Sequence, residues 1–480
     1  MNTLSAKHII TTVLVAMLCI TAYAAKGLDE VHKVKFPGGR SYMFRVKLAD
    51  KKGTPFNLNN PRKYLSEKAI MRRQKQRLGI DSTDLPINPI YIDSVTHIGG
   101  EVVSRSRWHN TLLVRVKRMD TIHRIAKLSC VRSTRLVWSA PDSIDAISRR
   151  VRFHSEFNSW DTIDQTEYGV AEEQIDMLSG DRLHRAGLRG KGMTIAVLDG
   201  GFMNVDKIPC MHGINIAGCK DFVTPRASSI FKELDHGTKV LSALAANVPN
   251  VFVGTAPEAA YWLLRCEDNY TESLAEEDYW TAAAEFADSV GCDIISSSLG
   301  FHAFDYSKDN YTYRQLDGHT AMISQTASML ASKGIILVNS AGNDGMGAWK
   351  KINVPADADN IISVGAVSPN RFNAAFSSIG PTADGRIKPD VMALGSPTAV
   401  ITGRGTIVHD MGTSFSTPVV AGLVACLWQG LKDKTATEIM NLVRRSGNNA
   451  QTPDNIYGYG IPDFWKAYTN GRTRKTTSAQ

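Results

Sequence analysis

The chain has 480 residues and a formal net charge of +8, too long for one ordinary core and therefore expected to hold two domains plus processing segments. Its charge is divided unevenly: residues 26–150 hold 26 Lys or Arg against 11 Asp or Glu, net +15, whereas residues 151–480 hold 28 against 36, net −8. The basic balance belongs to the front segment alone, where charges alternate with strand-like apolar residues; this reads as attraction to an acidic partner domain and excludes a nucleic-acid surface as the leading interpretation.

At the amino end Lys7 and His8 precede the apolar run Ile9 to Ile20, and Ala22-Tyr23-Ala24 offers small residues for cleavage. This is the pattern of a secretory signal peptide over residues 1–24, which places the mature protein outside the cell or in the periplasm. The run is shorter than the roughly 20 residues of a membrane span, and no later apolar stretch is long enough either. Cys19 raises lipidation, but Leu18 before it is a poor fit to the small residue that such processing prefers.

Residues 25–150 read as a small α+β domain. Tyr42 to Leu48 alternates like a strand, Pro61 to Leu78 forms a basic helix, and Glu101 to Arg107 with Thr111 to Val116 makes a hairpin around Trp108-His109-Asn110. Asp120 to Leu128 is helical and Arg132 to Trp138 a strand. The polar stretch Ser139 to Tyr168 is the linker, in which Arg149-Arg150 is either a cleavage mark or solvated charge.

From 151 to 470 strand and helix alternate: Met193 to Leu198, Lys239 to Ala246, Cys292 to Ser297, Thr320 to Ser332, Ile335 to Asn339, Ile361 to Val367, then Ser414 to Leu431. The strands are continuous apolar runs, hence buried on both faces, which predicts an α/β fold with a mostly parallel sheet and helices on each side. Residues 471–480 are left as a polar tail. There is no internal repeat and no low-complexity tract.

Four candidate residues fall at strand ends or helix starts. Asp199 closes the run Thr194-Ile195-Ala196-Val197-Leu198 and is followed by Gly200-Gly201; an acid at a strand's C-terminal edge is where α/β sheets collect ligand and catalytic groups, although Asp before Gly is also ordinary turn chemistry. His236, in Asp235-His236-Gly237-Thr238, precedes a small-residue helix and is expected in a loop, where a lone His is commonly just a solvated turn residue. Asn343 follows a buried run into the turn Ser340-Ala341-Gly342-Asn343-Asp344-Gly345. Ser414 lies in Gly412-Thr413-Ser414-Phe415-Ser416-Thr417-Pro418 at a helix start, where Ser caps orphan N–H groups in any protein but can also expose a nucleophile beside them. As a set they supply what acyl transfer needs: a nucleophile, a base for its proton, an acid to hold that base, and an amide donor for the oxyanion.

In this order the motifs resemble those of the subtilisin-like serine peptidases, whose triad runs Asp, His, Ser. The resemblance is carried by Asp199-Gly200-Gly201, His236-Gly237-Thr238, Ser340-Ala341-Gly342-Asn343 and Gly412-Thr413-Ser414-x-Ser416-x-Pro418, with Ile294-Ile295-Ser296-Ser297-Ser298-Leu299-Gly300 and Lys388-Pro389-Asp390-Val391. It covers roughly residues 165 to 470. It implies that Asp199 supports His236, that His236 is general base and then acid, that Ser414 attacks the scissile carbonyl, and that Asn343 with the Ser414 N–H holds the oxyanion. Ser298, Leu299 and Gly300 should form an edge strand along which an extended polypeptide substrate lies. The front segment should be a propeptide that assists folding and blocks the site, so the chain's partners are polypeptide substrates and its own propeptide. A monomer is expected.

Two positions depart from the family pattern. Gly200 stands where Ser or Thr is usual, and Lys239 where a second His is frequent. Two other readings compete with this one. An esterase would show Gly-x-Ser-x-Gly in the order Ser, acid, His, whereas Ser416 replaces the second Gly and the order is reversed. A non-catalytic binding protein on the same fold would be expected to lose one of the four residues, and all are present. No cofactor is required, no Cys/His pair has zinc spacing, and although calcium stabilises many relatives, no Asp-rich loop could be assigned to it. Among the cysteines Cys210 and Cys219 flank a short loop and are the expected disulfide, while Cys266, Cys292 and Cys426 sit in apolar runs as packed thiols.

Overall fold

The computed structural model describes residues 33–36, 38–145, 166–225, 227 and 229–473. The signal-peptide pattern, Arg149-Arg150 and the last seven residues lie outside them. The chain divides into two units, one of residues 1–40 with 140–150, the other of 41–139 with 151–480. In the first, Lys33–Lys35 pairs antiparallel with Ser143–Asp145, a pairing that no pattern in the sequence announces.

The second unit begins with a four-stranded antiparallel sheet built from β1 (Tyr42–Leu48), β2 (Glu101–Ser106), β3 (Thr111–Val116) and β4 (Val131–Ser139), in the order β2-β3-β1-β4. The period-two alternation of β1 sends Phe44, Val46 and Leu48 into a core with Val95, Val114, Ile122 and Ile125. The intervening Arg45 is left to face another element. Helix α1 covers only Glu67–Lys75, because the Ser66 side chain caps it by accepting from Ala69 N at 3.2 Å and Arg77 turns left-handed at φ 57°. The expected basic helix over Pro61–Leu78 is therefore shorter, with a separate 3-10 turn at Pro61–Lys63. Helices α2 (Pro89–His97), unforeseen, and α3 (Met119–Ile125) complete this part.

The remainder is a seven-stranded, wholly parallel sheet: β5 (Thr194–Asp199), β6 (Asn215–Asp221), β7 (Ala260–Arg265), β8 (Ile294–Ser297), β9 (Ile336–Ser340), β10 (Ile362–Val367) and β11 (Val391–Leu394), in the order β11-β10-β9-β8-β5-β7-β6. Every residue of β5, β8, β9, β10 and β11 is buried, as expected for strands covered on both sides. Helices α4 (His236–Ala245) and α7 (Thr413–Gly430) pack on one face, and α5 (Ala275–Val290) and α6 (Met322–Ser332) on the other. The α/β parallel-sheet expectation holds.

The basic sheet docks on α5. Arg45 pairs with Asp278 (2.6 Å) and Glu277 (3.2 Å). Arg72 and Arg73 of α1 converge with Arg107 on Asp288 at 2.5, 2.8 and 2.6 Å, and Arg73 also holds Asp84 at 2.7 Å. Glu285 accepts from the Ser106 hydroxyl and from the backbone N–H groups of Arg107 and Trp108. In the opposite sense, Lys333 beyond α6 reaches Asp81 and Asp84, each at 3.2 Å. Arg73 is 1% exposed and Asp288 fully buried, so the charge contrast read from the sequence is here a set of desolvated, mutually paired ions.

The expected Cys210–Cys219 disulfide is not formed: all six described cysteines are free. Cys210 is buried in the turn Pro209–Met211, whereas Cys219 lies exposed on β6, the edge strand, where pairing to β7 fixes its direction. Cys266, Cys292 and Cys426 are packed thiols as expected.

Candidate active site

The C-terminal ends of the parallel strands gather the candidate residues. Asp199, the last residue of β5, is completely buried, and its two carboxylate oxygens each lie 3.0 Å from His236 Nδ1. Gly200 N donates to Asp199 Oδ1 at 2.8 Å, one charge-assisted bond for a carboxylate that is otherwise committed to the imidazole. His236 is not in a loop: it is the first residue of α4, and the expected boundary at Lys239 is one turn late. Gly237 must be glycine because a Cβ there would meet Gly201 O at 2.4 Å and Asp199 Cβ at 2.9 Å. The backbone of α4 can thus lie against the end of β5. The His236 ring packs on Phe415 with centroids 5.8 Å apart, and one third of its side chain is exposed.

Burial disfavours the His236 imidazolium, but the Asp199 carboxylate beside it, through charge and hydrogen bond, and the nearby Glu267 charge outweigh this and raise it to about 9. The pair is therefore built to stabilise a protonated imidazole, the form that exists after a base has taken a proton.

Ser414 is the second residue of α7 and is 8% exposed. Its hydroxyl donates to Ser298 O at 3.3 Å rather than to His236; such bonds are commonly slack before substrate arrives. Local sequence explains the placement. Pro418 lies inside α7 and has no N–H, so the Ser414 carbonyl four residues earlier lacks its helical donor. Ser298 supplies one, its hydroxyl donating to Ser414 O at 2.8 Å. Ser416 and Thr417 hydroxyls similarly close on Thr413 O at 3.0 and 2.8 Å.

Asn343 lies beyond β9, and its Oδ1 accepts from Thr413 N (2.9 Å) and the Thr413 hydroxyl (3.0 Å). Those bonds fix the amide so that its NH2 group is the end left to donate, and the residue is exposed. Gly342, with φ 113°, makes the turn; a Cβ there would lie 2.8 Å from Ser378 Oγ. Thr413 was not singled out in the sequence, although its neighbours were: it joins the turn carrying Asn343 to the helix carrying Ser414.

Ser298, Leu299 and Gly300 continue β8 past the last ladder pair, so they are not the expected edge strand but an extension of a central one, and the segment next pairs through Phe301 with Val354. Leu299 O accepts from Asn339 Nδ2 at 3.1 Å. Lys239, the departure near the His, points to Asp410 at 2.9 Å. Asp390, from the Lys388-Pro389-Asp390-Val391 motif, is held by Lys388 (2.8 Å) and Arg444 (2.7 Å) and so ties β11 to the helix Ala436–Ser446. Despite burial, those two cations hold its carboxyl well below the usual carboxylate range. Among the described residues no group of three or more His, Cys, Asp or Glu is arranged to hold a metal, and no helix is long and apolar enough to cross a membrane.

The subtilase family model matches residues 190–460, and the Peptidase S8 propeptide domain of Bacteroidota matches 43–152. Serine protease AprX of Bacillus subtilis (strain 168) is 30% identical over 303 residues, covering 57% of this chain and 65% of that protein. Subtilisin NAT of Bacillus subtilis subsp. natto is 29% identical over 256 residues, 53% of this chain and 60% of its own length. Subtilisin DY of Bacillus licheniformis is 26% identical over 279 residues, 57% of this chain and 90% of the relative. The propeptide match falls on the basic sheet docked against α5, the family match on the parallel sheet: the chain belongs to the subtilase family, with a propeptide domain ahead of its peptidase domain.

Proposed function

We propose that this protein is an exported serine endopeptidase made as a precursor, in which residues 1–24 direct export, 25–150 form the propeptide and 151–470 the peptidase domain. The observation that carries this reading is the Asp199–His236 pair beside the start of the helix bearing Ser414, with Asn343 anchored on Thr413. Ser414 attacks the scissile carbonyl as His236 takes its proton, and Asp199 holds the resulting imidazolium. Asn343 Nδ2 and the Ser414 N–H receive the negative charge that develops on the carbonyl oxygen. His236 then protonates the leaving amine, and water releases the acyl group by the same steps in reverse. Ser298 to Gly300 offer main-chain groups to an extended peptide.

The test follows the purified precursor by size over time, beside hydrolysis of a casein-like substrate, for the native chain and Ser414→Ala. Shrinkage and hydrolysis in the native chain alone are expected, with turnover falling on the order of a millionfold in the variant. Equal behaviour of the two would make Ser414 structural and favour a binding protein on the same fold.

A further inference from the structure

The departure at Gly200 has a structural counterpart. A Cβ added there would lie 2.4 Å from Glu267 Oε2, so the carboxyl of Glu267 occupies the room that a Ser or Thr side chain would take. Glu267 stands two residues beyond the end of β7, next to Cys266, whose N–H donates to Asp199 O at 3.0 Å. Its position is therefore fixed by the same ladder that positions the catalytic acid. Its carboxyl is close enough to His236 and Asp199 to act on the first and be acted on by the second.

Among the described residues the Glu267 side chain has no ion-pair or hydrogen-bond partner. The nearest basic residue in sequence, Arg265, is turned elsewhere: Nε donates to Gly200 O at 3.0 Å, and its other nitrogens serve Asp221 (3.0 Å) and Glu233 (3.7 Å). The other charged and titratable groups acting with Glu267 are Asp199, Asp268, Glu272, Glu276, Cys266 and His236. Apart from Arg265 and His236 none of these can supply a positive charge. A half-buried carboxyl in acidic surroundings, whose nearby Arg265 and His236 are engaged with other partners, is a costly arrangement that an incoming cation relieves.

Resting on the serine-peptidase reading above, we propose that Glu267 determines specificity, selecting peptide substrates that carry a Lys or Arg side chain next to the scissile bond on the His236 side. The chain's own connecting segment has this character, with Arg149, Arg150 and Arg152 within four residues. Burial and the neighbouring Asp199 charge push the Glu267 carboxyl up to about 7, so the preference for a cationic side chain grows as pH rises through that value, because only the ionised form attracts it.

The test uses the mature native enzyme, Glu267→Gln and Glu267→Lys on a peptide library varied at each position flanking the cleaved bond, with Ser414 labelled by a fluorophosphonate in every sample. Native enzyme should favour Lys or Arg over a neutral isostere at one flanking position by roughly tenfold or more, about the effect of one charge-assisted contact. Glu267→Gln should lower that ratio severalfold and Glu267→Lys should turn it toward acidic side chains. A native enzyme that labels at Ser414 yet shows no basic preference at any flanking position overturns the inference without recourse to a variant. So does a preference that survives in labelled Glu267→Gln and Glu267→Lys. Failure of native Ser414 to label would instead overturn the peptidase reading on which the inference rests.

Discussion

The two sheets of this chain bury charge in opposite ways. The parallel sheet is enclosed by its own helices, its strands β5 and β8 to β11 buried throughout, and its internal ion sets, such as Lys388–Asp390–Arg444, are closed within the peptidase domain. The antiparallel sheet completes only one of its faces. Phe44, Val46 and Leu48 of β1 serve its own core, while Arg45 on the other side is satisfied by Asp278 and Glu277 of α5. Arg72, Arg73 and Arg107 likewise depend on Asp288. A propeptide built so has its arginines paired only as a docked layer, and without it the facing surface of the peptidase would present a row of carboxylates that water must solvate.

The largest effect expected from disturbing this contrast is at Asp288. Asp288→Ala leaves three arginines without their shared partner, a loss of about 3–5 kcal/mol in propeptide docking. Inhibition of the mature enzyme by residues 26–150 should weaken on the order of a hundredfold or more; an unchanged inhibition constant would show that the arginines are solvated when docked.

Within the peptidase domain, Asn343→Ala should lower turnover by roughly a hundredfold to a thousandfold through loss of the proposed oxyanion donor while leaving propeptide inhibition intact, measured by steady-state hydrolysis and inhibitor titration. Ser298→Ala removes the donor that replaces the missing Pro418 N–H. An unfolding midpoint lower by about 1–3 kcal/mol equivalent is expected from denaturant titration; no change would mean that water fills the position.

Two histidines sharpen the comparison by opposite pH dependence. His109 of the propeptide, whose Nε2 lies 2.8 Å from the Thr326 hydroxyl, is lowered to about 4 by burial with the Lys47 and Arg45 charges assisting. Its contribution to docking is complete above its ordinary value of 6.5 and is lost as pH falls from there toward 4. His236, raised to about 9, contributes stability that is complete below 6.5 and lost as pH rises through 9. Propeptide retention measured by size exclusion should therefore decline in mild acid, and His109→Gln should flatten that decline. On the proposed mechanism His236 must be neutral to act as base, so peptide hydrolysis should climb into the alkaline range, and Asp199→Asn should move that limb to lower pH.

How much of this was legible in the sequence follows from the same physics. β5, β8, β9 and β10 were readable because continuous apolar runs ending in Gly-rich turns have few other uses, and Asp199, Asn343 and Ser414 stood at their ends or at the following helix. The edge strand β6 alternates in exposure and was missed. Helix α5 was missed because its buried residues include Glu276, Glu277, Asp278, Glu285 and Asp288, which look solvent-facing until the arginines more than 170 positions earlier are seen to cover several of them. His236 was placed in a loop since Gly237 and Thr238 weaken a helical pattern that begins there. Glu267 gave no signal at all, as its relation to Gly200 is a matter of space and not of spacing.

The most direct test of the account is the site of covalent capture by a fluorophosphonate in the mature protein, read by peptide mass spectrometry in the native chain and in His236→Ala. One adduct is expected, on Ser414, formed in the native chain and slowed by on the order of a thousandfold or more in His236→Ala through loss of the base. An adduct elsewhere, or equal labelling of the two, would contradict it.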